Sequence, residues 1–455
     1  MGILSKFSRG SGLEARAARS LALTATSFAA SQIIRLASNL ILTRLLFPEA
    51  FGLMALVMVV IIGLGQFSDV GISPAIMQSR RGDDQDFLNT AWTIQIFRGF
   101  CLWLTASALA WPVAALYGEP DLAALLPVAA FTLFINGFRT TRLETSQRHL
   151  QFGRITVLDL SSQLISVLIS ILLAWWLRSV WALVVGNVVA AFFSVLLYQF
   201  YLKGPKNRLH LERAAVHELI HFGKWIFLAT VCGFVLSQSD KLILGKYLSL
   251  EQFGVYNIGF FLASVPMLLG HAVNNRILIP IYREKPPQVS VENFLALRRM
   301  RMAMTGVLMV LVVAFSATGV WLVTLLYDPR YYDAGAIVTV LSIMHIPHII
   351  ILTYDQAAVA AGDTRRFFVL ALAKAAFMVA GLIIGLEHAG LLGALLGQGA
   401  AMIAIYPVVV WLARRMHAWD PQHDIFFAVL GLLIGAICFW LNWSAIMDLW
   451  TKAQI

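Results

Sequence analysis

The sequence predicts an all-α polytopic membrane protein, with twelve spans in two related halves and a thirteenth span after them. Hydrophobic residues make up 59% of the 455 residues and charged residues only 13%, and the mean hydropathy is +0.78. A soluble protein of this length could not cover its surface with so few charges. The apolar residues fall in runs of about 20, which is long enough to cross a bilayer as helices. A short stretch also occurs twice, in the same orientation.

The repeated stretch occupies residues 40–52 and 242–254, at a constant offset along the chain. Both copies contain a Leu-Ile-Leu run, a Glu and a closing Phe-Gly pair, and a cation is kept as Arg44 or Lys246. Each copy places a short polar turn between the end of one apolar run and the start of the next. A match at a fixed offset sets the architecture. Two copies in one orientation indicate two parallel halves, which is a known plan for transporters.

Thirteen apolar runs are predicted to be membrane spans. They lie near residues 21–46, 51–78, 88–112, 122–138, 155–177, 180–201, 222–246, 252–280, 302–326, 336–361, 366–387, 389–413 and 425–442. Residues 1–20 are basic but contain no short apolar core with a cleavage site, so they are interpreted as a cytoplasmic tail. These spans predict an N-terminal six-helix lobe (1–202), a cytoplasmic linker (203–221), a C-terminal six-helix lobe (222–413) and an additional span and tail (414–455).

Glycine and proline residues predict irregular places in several spans. The second span contains Gly71 and Pro74, and the tenth span contains Pro347. Such breaks are tolerated where the freed backbone groups face protein or a wet cavity. The twelfth span carries Gly390, Gly393, Gly397 and Gly399, and this spacing predicts close helix packing.

Lys and Arg residues are distributed asymmetrically between the predicted loops. Of the 34, 24 fall in loops on one side and five in loops on the other. The positive-inside rule then places the N-terminus in the cytoplasm and the repeated turns, 45–50 and 247–251, outside. The net charge of +10 is therefore an orientation signal, and no nucleic-acid partner is predicted. In the linker, Leu209, Leu211 and other apolar residues alternate with charges, a pattern that suits a helix on the membrane surface and equally a solvated linker.

Five cations and four acids inside the predicted spans are the candidate functional residues. The cations are Arg35, Arg98, Lys241, Arg276 and Lys374, and the acids are Asp69, Asp159, Asp240 and Asp355. Each is costly in hydrocarbon, so each is expected to face protein or water. Equal depths, at about 1.5 Å per residue, allow Asp69 to pair with Arg98 and Asp355 with Lys374. Lys241 is expected to point away from Asp240 and to extend outward. Arg35 is expected near mid-bilayer, and the excess of one cation suits an anionic passenger.

The chain lacks the motifs of catalysis and of ATP hydrolysis. It has no Gly-rich phosphate loop with Lys and Ser/Thr. Its three cysteines lie in separate apolar runs, and its histidines lack metal-ligand spacing, so neither a disulfide nor a metal nor another cofactor is predicted. His345 and His348 lie three residues apart on one helical face, which allows a role in proton handling.

Residues 217–260 contain His-Glu-Leu-Ile-His-Phe-Gly-Lys-Trp, then Gln-Ser-Asp-Lys-Leu-Ile-Leu-Gly-Lys, and then Phe-Gly-Val-Tyr-Asn. This stretch resembles the middle of bacterial polysaccharide exporters, and residues 39–56 resemble their first outer turn. The chain is similar to the lipid-linked oligosaccharide flippases of the Wzx type, in the multidrug/oligosaccharidyl-lipid/polysaccharide exporter superfamily.

The resemblance implies two pseudo-symmetric six-helix bundles around a central cavity, which opens alternately to the two sides of the bacterial inner membrane. It implies a transporter and not an enzyme. The implied passenger is an undecaprenyl-diphosphate-linked oligosaccharide for exopolysaccharide or lipopolysaccharide synthesis. Membrane lipids and other polysaccharide-assembly proteins are the further expected partners.

The resemblance also assigns roles to the charged residues in the spans. The cationic cavity that it implies would bind the passenger through Arg35, Arg98 and Lys374, and Arg276, another cation of the predicted spans, is a further candidate from the sequence itself. Coupling to a proton or sodium gradient would use Asp240, which has the place of an acid in span seven of related flippases, or Asp69 or Asp355. An acid common in span eleven of those proteins is absent, and Lys374 stands there instead, which argues against sodium.

Two alternatives remain open from the sequence. A cation-coupled multidrug or small-molecule exporter of the same fold would need an acidic cavity. A membrane-embedded polysaccharide polymerase would need an acidic catalytic pair or a sizeable loop on one face, and the predicted outer loops are all short.

Overall fold

In a computed structural model, the described residues are 13–68, 71–149, 152–274, 278, 282, 286–360 and 363–452. Over these ranges the chain forms helices joined by turns and contains no strand, which confirms the predicted all-α class. The chain divides into two compact units. Unit 1 comprises Met1–Leu46 and Leu56–Thr230, and unit 2 comprises Phe47–Ala55 and Val231–Ile455.

The first half of the chain contains eight helices within the described ranges. They are α1 (Leu13–Leu45), α2 (Pro48–Phe67), α3 (Ile72–Gln78), α4 (Gln85–Tyr117), α5 (Leu122–Gly137), α6 (Arg142–Arg148), α7 (Phe152–Leu177) and α8 (Trp181–Tyr201). Apart from the early start of α1, the long helices follow the first six predicted spans closely, because each is an apolar run closed by turn residues. The second span is divided, as its glycine and proline predict: α2 ends before Gly71, which has a φ of +64° that glycine adopts readily.

The second half contains eleven α-helices and one 3₁₀ turn within the described ranges. They are α9 (Arg213–Tyr247), α10 (Leu250–Ala263), α11 (Val265–Val273), α12 (Val291–Leu326), the 3₁₀ turn Pro329–Tyr331, α13 (Ala334–Met344), α14 (Ile346–Ile351), α15 (Asp355–Ala360), α16 (Thr364–Ala404), α17 (Tyr406–Arg415), α18 (Pro421–Leu441) and α19 (Trp443–Lys452). The tenth predicted span is therefore broken into α13, α14 and α15, and Pro347 lies in the first turn of α14.

Eight helices of the described ranges are long and apolar enough to cross a membrane. The number rises to ten if the bent pairs α5–α6 and α10–α11 each form one span. α16 contains a sharp break at Ala389–Gly390, where Gly390 has a φ of +54°. This break separates two arms that match the predicted eleventh and twelfth spans. α18 is among the eight and corresponds to the predicted thirteenth span.

The two arms of α16 pack through glycines that face each other. A Cβ atom on Gly385 would overlap the carbonyl oxygen of Gly393, and one on Gly393 would overlap that of Gly385. Gly381 and Gly397 form a second pair of the same kind. The predicted close packing of the glycine-rich span is confirmed, since only a residue without a side chain allows backbones to approach this closely.

The repeated stretch has the same local structure in both copies. α1 ends at Leu45 and α2 begins at Pro48, while α9 ends at Tyr247 and α10 begins at Leu250. The end of α9 and the start of α10 are displaced from the end of α1 and the start of α2 by the same number of residues as the two copies in the sequence. This agreement confirms the internal repeat at this turn.

The predicted linker does not form a separate surface helix. Residues 203–212 contain no helix, and from Arg213 the chain is already part of α9, inside the predicted linker. Backbone amides of this non-helical segment donate to side chains near the start of α4: Arg208 to Asn89 at 2.9 Å, His210 to Thr93 at 3.0 Å and Glu212 to Thr90 at 3.0 Å. These acceptors replace the intrahelical bonds that a helix would have made. Leu209 and Leu211, two of the apolar residues that alternate with charges in this segment, are exposed.

Buried polar contacts attach the N-terminal end of α18 to the rest of unit 2. Arg298 of α12 binds both carboxylate oxygens of Asp420, at 2.6 and 2.8 Å. Tyr354 and Tyr406 donate to the two oxygens of Asp424, at 2.8 and 2.7 Å. The additional C-terminal helix is therefore an integral part of unit 2, held by charge-assisted hydrogen bonds.

Candidate functional site

The candidate site consists of ionisable side chains on helices that the sequence places in the membrane. Asp69 and Arg276 lie outside the described residues, so their roles and the pairing of Asp69 with Arg98 stay predictions. Among the described residues, no group of three or more His, Cys, Asp or Glu side chains is arranged to bind a metal ion. The cysteines at 101, 232 and 438 are free.

Arg35 lies on α1, ten residues before the helix ends at Leu45, which is about 15 Å at the rise of an α-helix. Its side chain is exposed. Four residues earlier, Ser31 donates to the side-chain oxygen of Gln163 on α7 at 2.7 Å, and the Gln163 amide donates back to the Ser31 carbonyl at 2.9 Å. α1 corresponds to the first predicted span, and a guanidinium halfway along it would be costly in lipid, so this face of α1 is expected to pack against protein or to line a polar cavity.

The same face of α1 carries two further polar side chains. Gln32 and Asn39 stand three residues before and four residues after Arg35, and this spacing places all three on one stripe of the helix. The side-chain oxygens of Gln32 and Asn39 are buried, and neither has a hydrogen-bond partner among the described residues. Such buried acceptors are uncommon in folded proteins, and a water molecule or a bound donor would satisfy them. The spacing of these residues is visible in the sequence, but Gln32 and Asn39 are uncharged, so the charged residues of the spans do not reveal the stripe.

Arg98 supports the end of a neighbouring helix. Its Nη2 donates to the carbonyl oxygen of Gly65 at 2.7 Å, and its Nε donates to the hydroxyl of Ser68 at 3.0 Å. Both groups belong to the C-terminal end of α2, where carbonyl oxygens lack partners within the helix and a cation is favoured. Two of the donors of Arg98 therefore stabilise unit 1. Asp159 is also used in unit 1, since it accepts a hydrogen bond from Tyr198.

Lys374 and Asp355 form the ion pair that their depths predict. The ammonium of Lys374 lies 2.7 Å from each carboxylate oxygen of Asp355, and the lysine side chain is 3% exposed. Breaking a buried pair of this kind leaves an uncompensated charge. Lys374 is therefore less available for an anionic passenger than the sequence suggests.

Asp240 accepts two hydrogen bonds within unit 2. The hydroxyl of Tyr256 donates to it at 2.5 Å, and the ammonium of Lys241 lies 3.3 Å from the same oxygen. The expectation that Lys241 points away from Asp240 is wrong. Its ammonium lies 3.8 Å from the centre of the Phe260 ring, so a cation–π contact and the carboxylate together hold it inward.

The N-terminal ends of α2 and α10, which both belong to unit 2, pack against each other. A Cβ atom on Gly52 would overlap the carbonyl oxygen of Leu250, and one on Gly254 would overlap that of Pro48. Gly52 is equivalent to Gly254, and Pro48 is equivalent to Leu250, so the contact is reciprocal. The N-terminal ends of α2 and α10 thus approach to backbone contact, which requires glycine at both positions.

Comparison with known proteins adds three findings on sequence. Residues 41–336 match a family described as "Polysaccharide biosynthesis protein". The lipopolysaccharide biosynthesis protein WzxC of Escherichia coli is 23% identical over 245 residues, which are 53% of this chain and 49% of that protein. The succinoglycan biosynthesis transport protein ExoT of Rhizobium meliloti is 23% identical over 243 residues, with the same two coverages. The chain thus spans about half the length of these curated relatives.

Solved structures show the same fold at low sequence identity. The lipid II flippase MurJ, in an inward closed conformation, matches with a TM-score of 0.69 at 12% identity, over 93% of this chain and 97% of that chain. An inward-facing multidrug resistance transporter of the MATE family, in the MOP superfamily, matches with a TM-score of 0.63 at 14% identity, over 85% and 95% of the two chains. At these identities the likeness establishes the fold.

Proposed function

Because the chain belongs to the polysaccharide biosynthesis protein family, we propose that it flips undecaprenyl-diphosphate-linked oligosaccharides from the cytoplasmic to the periplasmic leaflet of the bacterial inner membrane. The resemblance found in the sequence is confirmed at the level of the family. The chain is a multi-pass bacterial membrane protein with the fold of MOP-superfamily transporters. Transport by alternating access, and not catalysis, is the activity that this fold supports best.

The polar stripe on α1 is the observation that carries the proposal. A diphosphate with attached sugars cannot cross about 30 Å of hydrocarbon without a polar route. Arg35 offers a planar fork that can bind two phosphate oxygens at once. Gln32 and Asn39 offer buried oxygens without partners among the described residues, and the hydroxyl groups of sugars are donors that would satisfy them. Charge for the phosphate and acceptors for the sugar therefore lie on one helix face.

The other candidate cations contribute less to this site. Arg98 uses two of its donors at the end of α2, and Lys374 is bound to Asp355. Arg276 stays a candidate that lies outside the described residues. We therefore assign the diphosphate to Arg35, with Arg98 in a supporting role.

The competing function is cation-coupled export of drugs or other small molecules, which the likeness to a multidrug transporter favours. Such an exporter would need an acidic cavity. The described acids on the spans are engaged: Asp159 with Tyr198, Asp240 with Tyr256 and Lys241, and Asp355 with Lys374.

A flipping assay separates the two functions. The purified protein is reconstituted in liposomes that contain undecaprenyl diphosphate with a short, dye-labelled oligosaccharide. We expect dithionite, which reaches only the outer leaflet, to bleach the label well beyond the half that protein-free liposomes lose. A dye-labelled phosphatidylcholine is the control and should stay protected. Ethidium efflux together with no flipping of the labelled lipid would favour the drug exporter.

The proposed orientation can be tested by cysteine labelling. Glu49 and Glu251 are exposed in the two repeated turns, and Lys206 is exposed in the non-helical segment 203–212. In a variant without the three native cysteines, cysteine at 49 or 251 should react with an impermeant maleimide in intact spheroplasts, and cysteine at 206 should react only after lysis. The opposite pattern would invert the topology. Arg148 is unsuitable as the inner reporter, because it donates to the carbonyl oxygens of Ile76 and Ser79 at 2.9 and 2.7 Å.

A further inference from the structure

Four titratable side chains meet in unit 2 where several helices are interrupted. They are His271 on α11, His348 on α14, Asp355 at the start of α15 and Lys374 on α16. The rings of His271 and His348 pack edge to face, with their centroids 5.9 Å apart. Both histidines interact electrostatically with Lys374, and His271 also interacts with Asp355. Each imidazole is thus close enough to respond to the Lys374–Asp355 pair.

The exposure of these side chains falls stepwise across the cluster. His271 is exposed, His348 is partly buried, and the side chains of Asp355 and Lys374 are 20% and 3% exposed. His271 is therefore the member of the cluster nearest the protein surface, while the ion pair lies in the interior. Histidine is the side chain whose ordinary titration falls near neutral pH, so it suits reversible protonation.

The surrounding charges are supplied by several helices. His345, at the break between α13 and α14, lies 3.2 Å from the Ala263 carbonyl oxygen through its Nδ1, and it interacts with both His271 and Asp240. His345 also faces His348. Tyr282, which binds Arg301, interacts with Asp355. Within the described residues, a continuous set of titratable groups therefore leads from Asp240 on α9 to Asp355 on α15.

We propose that His271, His348 and the Lys374–Asp355 pair form the proton-binding site that couples transport to the proton gradient. This assignment rests on the proposed function, since it identifies the coupling ion of the flippase. Both oxygens of Asp355 are already bound to Lys374, so the carboxylate offers no site for sodium. A proton does not need a free carboxylate oxygen, because a neutral imidazole accepts it directly.

The coupling step follows from the charges. In the resting cluster, Lys374 and Asp355 neutralise each other and the imidazoles are neutral. A proton from water adds to His271 and produces an imidazolium, and Asp355 then faces two cations. One carboxylate cannot compensate both in a medium of low dielectric constant. The added charge thus favours a second arrangement of the short helices α11 and α14. Return of the proton to water on the other side restores the first arrangement.

The test compares His271→Gln and His348→Gln with the matched control His388→Gln. His388 is an exposed histidine on α16, and its Nδ1 lies 2.8 Å from the Ile384 carbonyl oxygen of the same helix. Flipping of the labelled lipid is measured in liposomes with and without an imposed pH gradient. We expect the gradient to accelerate flipping at least threefold in the wild type and in His388→Gln. The acceleration, taken as the ratio of the rates with and without the gradient in each variant, should be lost in His271→Gln and His348→Gln.

A second measurement does not depend on the passenger. Histidine titrations are recorded by ¹⁵N NMR on labelled protein in lipid vesicles. One imidazole signal should titrate between pH 5 and 8, disappear in His271→Gln, and change its midpoint in Lys374→Gln. An undiminished gradient response of His271→Gln, or a His271 signal that does not titrate, would overturn the proton site. A wild type that flips nothing but shows this titration would overturn the flippase and not the proton site. If the more buried His348→Gln does not fold, the exposed His271→Gln still decides.

Discussion

Replacement of Arg35 by alanine is expected to reduce flipping of the labelled undecaprenyl-diphosphate oligosaccharide at least tenfold. Alanine removes the fixed positive charge halfway along α1, and the diphosphate then has no counter-charge on the stripe with Gln32 and Asn39. Arg35→Lys should retain part of the activity, because it keeps the charge but loses the planar fork that holds two phosphate oxygens. In cells, the lipid-linked oligosaccharide should accumulate on the cytoplasmic face of the membrane in the alanine variant.

The matched control is Arg44→Ala. Arg44 is an exposed arginine in the last turn of the same helix, nine residues from Arg35. The Arg44→Ala variant should flip the lipid at the wild-type rate. This result would separate a specific effect of Arg35 from a general loss of positive charge on α1. All variants are compared at equal amounts of protein in the membrane. Wild-type flipping in both Arg35 variants, or loss of the protein from the membrane instead of loss of flipping, would remove Arg35 from the passenger site.

Replacement of Gly254 by alanine is expected to lower the thermal stability of the protein by several degrees. The added Cβ would overlap the backbone carbonyl of Pro48, which cannot rotate away as a side chain can. Overpacking of this kind costs about 1–3 kcal/mol. Gly52→Ala should act in the same direction, because its Cβ would overlap the carbonyl oxygen of Leu250. Unfolding can be followed with a thiol-reactive dye, since the free cysteines Cys232 and Cys438 are buried in the folded protein.

The control for this prediction is Gly306→Ala. Gly306 lies within α12 of unit 2, and a Cβ atom there would meet no atom within 4 Å. Alanine favours a helix over glycine by roughly 1 kcal/mol, so this variant should unfold at or slightly above the wild-type temperature. Equal unfolding temperatures for Gly254→Ala and Gly306→Ala would show that the ends of α2 and α10 are not in backbone contact.

Some of the interior contacts could be predicted from the sequence, and others could not. The pair of Lys374 with Asp355 follows from depth, because two opposite charges at one level on consecutive spans have few other partners. The direction in which the Lys241 side chain points cannot be predicted from the depth of Lys241 in its span. It depends on the ring of Phe260 and the carboxylate of Asp240, which α9 and α10 bring together. The polar stripe of α1 was visible in the spacing of its residues, but its lack of partners is a property of the packed helices.

The sequence by itself determined the helices, their breaks and the internal repeat. These features depend on local properties: the length of apolar runs, the turn residues that end them, and the glycines that permit a positive φ or a close approach. The tertiary structure alone decided the conformation of residues 203–212, since their amides are satisfied by side chains of α4 more than 100 residues earlier in the chain. It also decided the role of Arg98 and the proximity of His271 to His348. Such contacts join residues that are distant in the sequence, and the packing of the helices determines which of them meet.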